Sequence, residues 1–125
     1  MNKEQLLEEL QRERFSPLIL QAFKKVKREK FIQKEFQQFA YDNHPLPLAT
    51  GSTISQPSTI TFMLQLLELE KLKNKTNIKI LEIGSVSGYV LALMNTILKD
   101  LKIQNYEIIG IEVIYELVKN SKKLF

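Results

Sequence analysis

The chain contains no cysteine, only one histidine, and no long apolar run. Without cysteine it can form neither a disulfide nor a thiolate metal site, and we expect no metal centre. No apolar stretch approaches the ~20 residues that a helix needs to cross a bilayer, so we expect no membrane partner. The N-terminus, Met1 to Gln5, is charged and unlike a signal peptide, which predicts a cytoplasmic protein. The single histidine, His44, is interpreted as a loop surface residue rather than a catalytic base.

Charge of one sign is not in large excess either. The net charge of +4 comes from 18 basic and 14 acidic residues interspersed along 125 residues. The densest basic cluster runs from Lys24 to Arg28 and has no interleaved aromatic side chains on which bases could stack. We therefore interpret this cluster as a solvated helix face and expect no nucleic-acid partner.

The first part of the chain, residues 1–56, is predicted to be a helical region that ends in a long loop. Its second helix is expected to have Ser16 as its N-cap and Pro17 in its first turn. The apolar positions that define the two helices are Leu6, Leu7 and Leu10, then Leu18, Leu20 and Phe23. The stretch from Tyr41 to Gln56 contains two prolines and several turn-forming residues, and a loop of this length is usually functional or disordered.

Residues 57–125 are predicted to form a βαβ unit preceded by a helix. Pro57 is expected to begin that helix, with Ser55 or Gln56 as its cap. Its predicted buried face consists of Ile60, Met63, Leu64 and Leu67. The elements that follow are a strand from Ile78 to Ile83, a helix from Gly88 to Lys99, a strand from Tyr106 to Val113 and a helix from Ile114 to Phe125. The second strand is apolar on both faces, which is typical of a buried parallel strand.

Two strands are fewer than an open α/β sheet usually contains. From the sequence we expect the chain to be the N-terminal part of a longer α/β fold. We also expect an apolar strand edge that pairs with a C-terminal partner fragment or with a second copy.

A glycine-containing loop follows the first predicted strand and indicates a nucleotide-like cofactor. The dinucleotide fingerprint G-x-G-x-x-G would require glycine where the chain has Val86 and Tyr89. The pattern E-x-G-x-G-x-G of methyltransferases that bind S-adenosylmethionine is met at Glu82, Gly84 and Gly88 and missed only at Val86.

Glu112 ends the second strand, where an acidic side chain contacts ribose hydroxyls in nucleotide-binding α/β folds. A carboxylate can accept hydrogen bonds from both hydroxyls of a vicinal diol. The other interpretation of Glu112 is a solvated charge at the end of a strand.

The segment from Leu46 to Pro57, together with Tyr41 and Asp42, closely resembles the signature of protein-L-isoaspartate O-methyltransferases. The run from Thr53 to Pro57 is specific to that family, whereas the glycine loop is shared by many methyltransferases. The resemblance covers about residues 20 to 125. It implies a Rossmann-like S-adenosylmethionine-dependent methyltransferase fold with an N-terminal helical layer, of which residues 57–125 are the first part.

The family's activity is methyl transfer from S-adenosylmethionine to the carboxyl group of isoaspartyl residues in damaged proteins, a repair reaction. The resemblance therefore implies isoaspartyl peptides and proteins as partners. It places the catalytic role on Ser55 and Thr53, and acceptor binding on Ser52, Thr53, Ile54 and Ser55. It places cofactor binding on Glu82, Gly84, Ser85 and Gly88, with Glu112 at the ribose.

The chain departs from the family's pattern at Val86, which replaces the middle glycine, and at Ala49 and Ser52 in the signature segment. Val86 is expected to crowd the cofactor. In the family that the chain resembles, later strands and loops supply the adenine-side contacts and much of the peptide-binding wall, so we expect these 125 residues alone to bind S-adenosylmethionine weakly or not at all. Two alternatives stay open at this point: a methyltransferase for another acceptor, and a non-catalytic remnant that acts as an interaction module.

Overall fold

The computed structural model describes residues 1–125, which form five α-helices and two small sheets. The helices are α1 (Lys3–Arg12), α2 (Pro17–Lys25), α3 (Pro57–Leu66), α4 (Tyr89–Asp100) and α5 (Tyr115–Lys122). The strands are β1 (Leu46–Pro47), β2 (Thr53–Ile54), β3 (Ile78–Ile83) and β4 (Tyr106–Ile111). Short 3₁₀ turns lie at Arg28–Phe31, Lys34–Phe39, Ala49–Gly51 and Leu69–Leu72.

Strands β3 and β4 are parallel neighbours, with Ile80 opposite Ile108 and Ile83 opposite Ile111. Helix α4 connects them, so the predicted βαβ unit is confirmed. Because both strands run in the same direction, their carboxyl ends lie at one edge of the sheet. The loops that follow β3 and β4 therefore emerge side by side.

The helical layer begins with α1, whose start is fixed by a capping box. The Asn2 side chain accepts a hydrogen bond from the Gln5 backbone N–H (2.8 Å), and the Gln5 side chain accepts one from the Asn2 N–H (2.8 Å). Leu6 and Leu10 follow on the inner face and are buried. The cap thus fixes where α1 begins, and the burial of Leu6 and Leu10 holds the helix against the rest of the protein.

One hydrophobic core joins the helical layer to the βαβ unit. It contains Leu6 and Leu10 of α1, Phe23 of α2, and Leu93 and Ile97 of α4. The core therefore crosses the predicted division at residue 56, and α2 packs directly on α4. This packing is what places the N-terminal third beside the loop that follows β3.

Two predictions about helix caps are wrong in their chemistry. Ser16 and Gln56 occupy the N-cap positions of α2 and α3, but neither side chain makes the capping hydrogen bond. The hydroxyl of Ser16 instead donates to Glu70 (2.7 Å). The N–H group of Ser58, in the first turn of α3, donates to the side-chain oxygen of the distant Asn43 (3.0 Å).

The prediction of the buried face of α3 is wrong for two of its four residues. Ile60 and Leu64 are buried, whereas the side chains of Met63 and Leu67 are 62% and 54% exposed. Apolar residues on the same side of β3 and β4 are also exposed, namely Leu81, Ile83, Ile109 and Ile111. The prediction that β4 pairs in parallel is confirmed. The prediction that both its faces are buried is wrong, because Ile109 and Ile111 are exposed.

Gly110 of β4 has a role that the sequence pattern did not reveal. A Cβ atom built on it would lie 2.6 Å from Leu91 Cδ1 and 2.7 Å from Ser85 Cβ. Both distances are too short for real contacts, so only glycine allows α4 and the loop after β3 to approach β4 this closely.

We expect Gly110→Ala to lower the free energy of unfolding by about 1–3 kcal/mol, the usual range for overpacking a filled site. Urea denaturation measures this change. The double variant Ser85→Gly/Gly110→Ala removes one of the two clashing atoms and should recover part of the loss. An unchanged midpoint in Gly110→Ala would mean that the loop moves away at no cost.

None of the helices is long and apolar enough to cross a membrane.

Candidate functional site

The loop after β3, residues 84–88, is here named the cofactor loop. Its first two N–H groups, of Gly84 and Ser85, both donate to the carbonyl oxygen of Ile111 at the end of β4 (2.7 and 3.0 Å). Gly88 closes the loop by donating to Ser85 (2.8 Å). Gly84 and Gly88 have φ values of +78° and +85°, which glycine adopts without steric cost. These are the conformations for which the two glycines of the sequence pattern are needed.

Val86 lies at the centre of the cofactor loop with φ +51°. A β-branched side chain in this left-handed region is a genuine outlier and stores strain of about 1–2 kcal/mol. Its N–H group donates to Glu112 Oε1 (3.1 Å). Glycine, which the methyltransferase pattern has at this position, would adopt this conformation without strain, so the replacement by Val86 introduces backbone strain here.

Glu112 connects the cofactor loop to the start of α5. Its second oxygen, Oε2, accepts a hydrogen bond from the Ile114 N–H (2.9 Å), while Oε1 accepts the bond from Val86. Each carboxylate oxygen has two lone pairs, so both keep capacity for a further donor. Glu112 is thus a structural tie between two segments, and its contact with a ribose remains a prediction.

The segment 46–57 is here named the acceptor loop. It was predicted as an irregular loop, but it contains a small hairpin in which Leu46 pairs with Ile54 and Pro47 with Thr53. The Leu48 N–H donates to the Ser52 carbonyl inside the hairpin (2.7 Å). Ile54 is 4% exposed and anchors the hairpin in the core. Thr53 and Ser55, on either side of this anchor, are exposed.

The acceptor loop and the cofactor loop line one cleft with a cavity of about 60 Å³. Its lining includes most of the predicted site residues: Thr53, Ile54, Ser55, Glu82, Gly84 and Ser85. Three predicted residues lie outside this lining, namely Ser52, Gly88 and Glu112. Val86 and Tyr89 belong to the lining instead, and Val86 occupies part of the space between the loops.

Glu82 is the only carboxylate in the lining of the cleft. Burial raises the pKa of its carboxyl group to about 7. Its Oε1 atom is buried and has no hydrogen-bond partner in the protein. A desolvated carboxylate that lacks a donor is complementary to a cationic ligand, because the attraction is stronger away from bulk water.

Arg28 contradicts the interpretation of residues 24–28 as a solvated face. Its side chain is 0% exposed, and its Nη2 donates to the carbonyl oxygen of Ser55 (3.0 Å). Only the neighbouring lysines Lys24, Lys25 and Lys27 are exposed. Sequence reasoning missed Arg28 because a charge next to other charges carries no signal of burial. His44, in contrast, is exposed as expected.

Tyr89 begins α4 and packs beside the cofactor loop. It is 1% exposed, and its ring lies 6.0 Å from that of Phe23 and 5.4 Å from that of Phe31. Its N–H group is bonded to the Ser87 hydroxyl (3.3 Å). The helical layer thus supports the end of the cofactor loop through an aromatic cluster.

The family model described as protein-L-isoaspartate(D-aspartate) O-methyltransferase (PCMT) matches residues 1–125. A protein-L-isoaspartate O-methyltransferase from Petrotoga mobilis is 49% identical over 81 residues, which cover 65% of this chain and 36% of that protein. A protein of the same name from Methanothrix thermoacetophila is 34% identical over 123 residues, which cover 98% of this chain and 54% of that protein.

Two solved structures are similar to this fold. A protein-L-isoaspartate O-methyltransferase gives a TM-score of 0.81 at 24% identity, and the match covers 98% of this chain and 37% of that chain. A Plasmodium falciparum structure, described as a protein-L-isoaspartate O-methyltransferase in complex with S-adenosyl-L-homocysteine, gives a TM-score of 0.75 at 28% identity. That match covers 98% of this chain and 54% of the solved chain. The chain spans between 36% and 54% of the length of these four proteins.

Proposed function

This chain belongs to the protein-L-isoaspartate(D-aspartate) O-methyltransferase family, and on that premise we propose that its two loops are the cofactor and acceptor sites of a protein-repair methyltransferase. The reaction is methyl transfer from S-adenosylmethionine to the carboxyl group of an isoaspartyl residue in a damaged protein. We place this activity in the cytoplasm. Nucleic acid and membrane are not part of the proposal.

One observation carries this proposal. Ser55 of the acceptor loop and Ser85 of the cofactor loop, which lie far apart in the sequence, line the same cleft. The family-specific acceptor loop therefore faces the cofactor loop across a short gap, as a direct transfer between two bound groups requires. A methyltransferase for another acceptor would need a different acceptor loop here, so the isoaspartyl reaction is favoured.

The residues of the cleft fit S-adenosylmethionine in charge and in access. Glu82 provides an unpaired carboxylate, and bound S-adenosylmethionine would supply a methyl group on a positively charged sulfur. A Cβ built on Gly84 would meet no atom within 4 Å, so the backbone there is open to a ligand. The residues proposed to hold the cofactor are Glu82, Gly84, Ser85, Gly88 and Glu112.

The chemistry asks little of the protein besides positioning. The acceptor carboxyl group, with an ordinary pKa of about 4, is ionised at pH 7 and needs no general base. Ser55 and Thr53 expose hydroxyl groups that can donate hydrogen bonds to this carboxylate and fix its direction. Correct orientation of two reacting groups can lower the activation free energy by about 7–11 kcal/mol. We propose Ser52, Thr53, Ile54 and Ser55 as the acceptor-binding segment.

The exposed apolar side chains on β3 and β4 are proposed to be covered by further protein, either a C-terminal partner fragment or a second copy. Ile83 is 80% exposed and Leu81 is 56% exposed, and apolar patches on a sheet are usually covered. Sedimentation velocity at increasing concentration distinguishes self-association from a requirement for another chain.

We expect Val86→Gly to bind S-adenosylhomocysteine about 10-fold more tightly than the unmodified chain, a factor that corresponds to about 1.4 kcal/mol. The isopropyl group leaves the cleft, and the strain at φ +51° is released. Titration calorimetry measures the affinity. Relief of strain and the added freedom of the unfolded chain oppose each other, so the unfolding free energy should change by less than about 1 kcal/mol.

Val86→Ala separates the two contributions, because alanine removes the two methyl groups but keeps a Cβ at a positive φ. An affinity equal to that of Val86→Gly would assign the effect to side-chain volume alone. Weaker binding in Val86→Gly than in the unmodified chain would show that the valine contacts the ligand favourably.

The proposed function is tested by ¹H–¹⁵N spectra during addition of S-adenosylhomocysteine, because this method detects weak binding. Shifts should appear first in residues 84–88, and the variant Glu82→Ala should reduce them. Methyl transfer is then measured with an isoaspartyl peptide and with the same peptide carrying normal aspartate. Transfer to both peptides alike, or shifts outside the cleft only, would contradict the proposal.

A further inference from the structure

Arg28 is a buried cation for which the family reaction described above has no use. Its guanidinium group is fully buried, and burial holds its pKa below the usual value. No carboxylate forms an ion pair with it, since the adjacent Glu29 is bonded to the Tyr41 hydroxyl instead. A guanidinium group stays protonated in proteins, so the site holds an unpaired buried charge, which is costly to fold. Such a charge calls for a specific explanation.

The guanidinium group of Arg28 contacts the acceptor loop and the first residue of α4, which follows the cofactor loop. Its Nη2 donates to the Ser55 carbonyl oxygen at 3.0 Å. Its central carbon lies 5.1 Å from the ring centroid of Tyr89, which is a cation–π distance. Ser55 belongs to the acceptor loop, and Tyr89 directly follows the cofactor loop. Arg28 is therefore the side chain that bridges the two.

The backbone that carries Arg28 is also tied to Tyr89. Arg28 begins the 3₁₀ turn Arg28–Phe31, and Phe31 from the same turn packs against the Tyr89 ring. Of the guanidinium nitrogens only Nη2 is bonded, and the buried Nε and Nη1 have no partner, so the group is held by one hydrogen bond and by its place over the Tyr89 ring. The N-terminal helical layer thus presents one side chain to both the acceptor loop and the start of α4.

We propose that Arg28 is a positioning residue that couples the acceptor loop to the cofactor loop, so that Ser55 keeps a fixed place relative to the start of α4. The assignment of the two loops to acceptor and cofactor rests on the proposed function, whereas the proposed structural coupling of the two loops through Arg28 does not. Arg28 does not line the cleft, so it acts through Ser55 and Tyr89 and not on the reacting groups.

Amide hydrogen exchange on the chain without ligand tests this proposal. Three amides report: Leu48, bonded to Ser52 in the acceptor loop; Gly88, bonded to Ser85 in the cofactor loop; and Ile78, bonded to Asn105 at the far end of the sheet. In Arg28→Met, exchange at Leu48 and at Gly88 should both rise at least about 10-fold relative to Ile78, the factor expected from loss of one charge-assisted hydrogen bond. Lys27→Met removes a neighbouring exposed charge and should leave all three ratios unchanged.

Two more variants separate coupling from general destabilisation. Arg28→Lys keeps the charge without the planar guanidinium group, so exchange at Leu48 and Gly88 should rise less than in Arg28→Met. If Arg28→Met does not fold, Arg28→Lys is compared with the unmodified chain instead, and exchange at Leu48 and Gly88 should both rise relative to Ile78. Tyr89→Leu removes the ring and should also raise exchange at Leu48, although Tyr89 does not touch that amide. An equal rise at all three amides, or a rise in only one loop, would overturn the proposal. Because no ligand is used, failure of the proposed function would appear only in the titration and transfer experiments.

Discussion

Ser55→Ala is expected to lower methyl transfer to an isoaspartyl peptide by about 10- to 100-fold, the effect of losing a hydrogen bond to a charged group. Ser55 lies exposed at the rim of the cleft, with its carbonyl oxygen held by Arg28 at 3.0 Å. The backbone contact does not depend on the hydroxyl group. The variant should therefore fold normally and bind S-adenosylhomocysteine as before.

The measurement is the initial rate of methyl incorporation over a range of peptide concentrations. Ser58→Ala is a matched control, because it also removes a serine hydroxyl close in sequence, but from α3, outside the acceptor-binding segment and outside the lining of the cleft. Equal losses in the two variants would show that the effect is not specific to the Ser55 hydroxyl. Full activity in Ser55→Ala would remove Ser55 from the proposed mechanism.

Glu82→Gln is expected to abolish a pH dependence of both stability and cofactor binding. Burial raises the pKa of Glu82 from 4.5 to about 7 in the folded chain. The folded state therefore binds the proton more tightly than the unfolded state. Protonation of Glu82 therefore contributes to the free energy of unfolding in full below pH 4.5, and this contribution is lost as the pH rises through about 7.

Because the carboxyl group is half-buried, solvent screening reduces the effect, and we expect the unmodified chain to lose about 1–2 kcal/mol of stability relative to Glu82→Gln between pH 4.5 and pH 7.5. Affinity for S-adenosylmethionine should change in the opposite sense, since a cation prefers the ionised carboxylate. It should rise through pH 7 in the unmodified chain and be about 10-fold lower in Glu82→Gln above that pH.

Chemical denaturation and calorimetry at a series of pH values measure the two effects. Glu107→Gln is the control, because it removes an exposed carboxylate from the neighbouring strand β4 without changing the cleft. Parallel pH profiles for Glu82→Gln and the unmodified chain would show that Glu82 does not titrate in this range.

The sequence predicted the elements that depend on local pattern. Strand β3 was predicted with its observed bounds, because a short apolar run between polar segments fixes both of its ends. Helix α4 was predicted within one residue at each end, since Gly88 at positive φ marks its start. The pairing of β3 with β4 followed from the helix between them.

Features that depend on distant packing were not predicted. Met63 and Leu67 follow the helical period of a buried face, yet nothing in this chain covers them. The cap of α3 comes from Asn43, which no local motif could indicate. Gly110 looks like an ordinary residue of a strand until the positions of Ser85 and Leu91 are known.

The candidate site was predicted as two separate loops, and the structure supplied their relation. Family resemblance identified Ser55 and Glu82, but only the folded structure shows that they line one cleft. Arg28 was misinterpreted for the same reason, because its burial is a property of the assembled fold.

The backbone bonds of the cofactor loop have a kinetic consequence. Its N–H groups at positions 84, 85 and 86 are already bonded to Ile111 and Glu112 at the end of β4. The loop is therefore preorganised on the sheet, and the entropic cost of ordering it falls on folding and not on ligand binding. A ligand that enters should bind in a single kinetic phase whose rate is proportional to ligand concentration, without a slow rearrangement afterwards. In this respect β4 acts as a template that shapes the site before any ligand arrives.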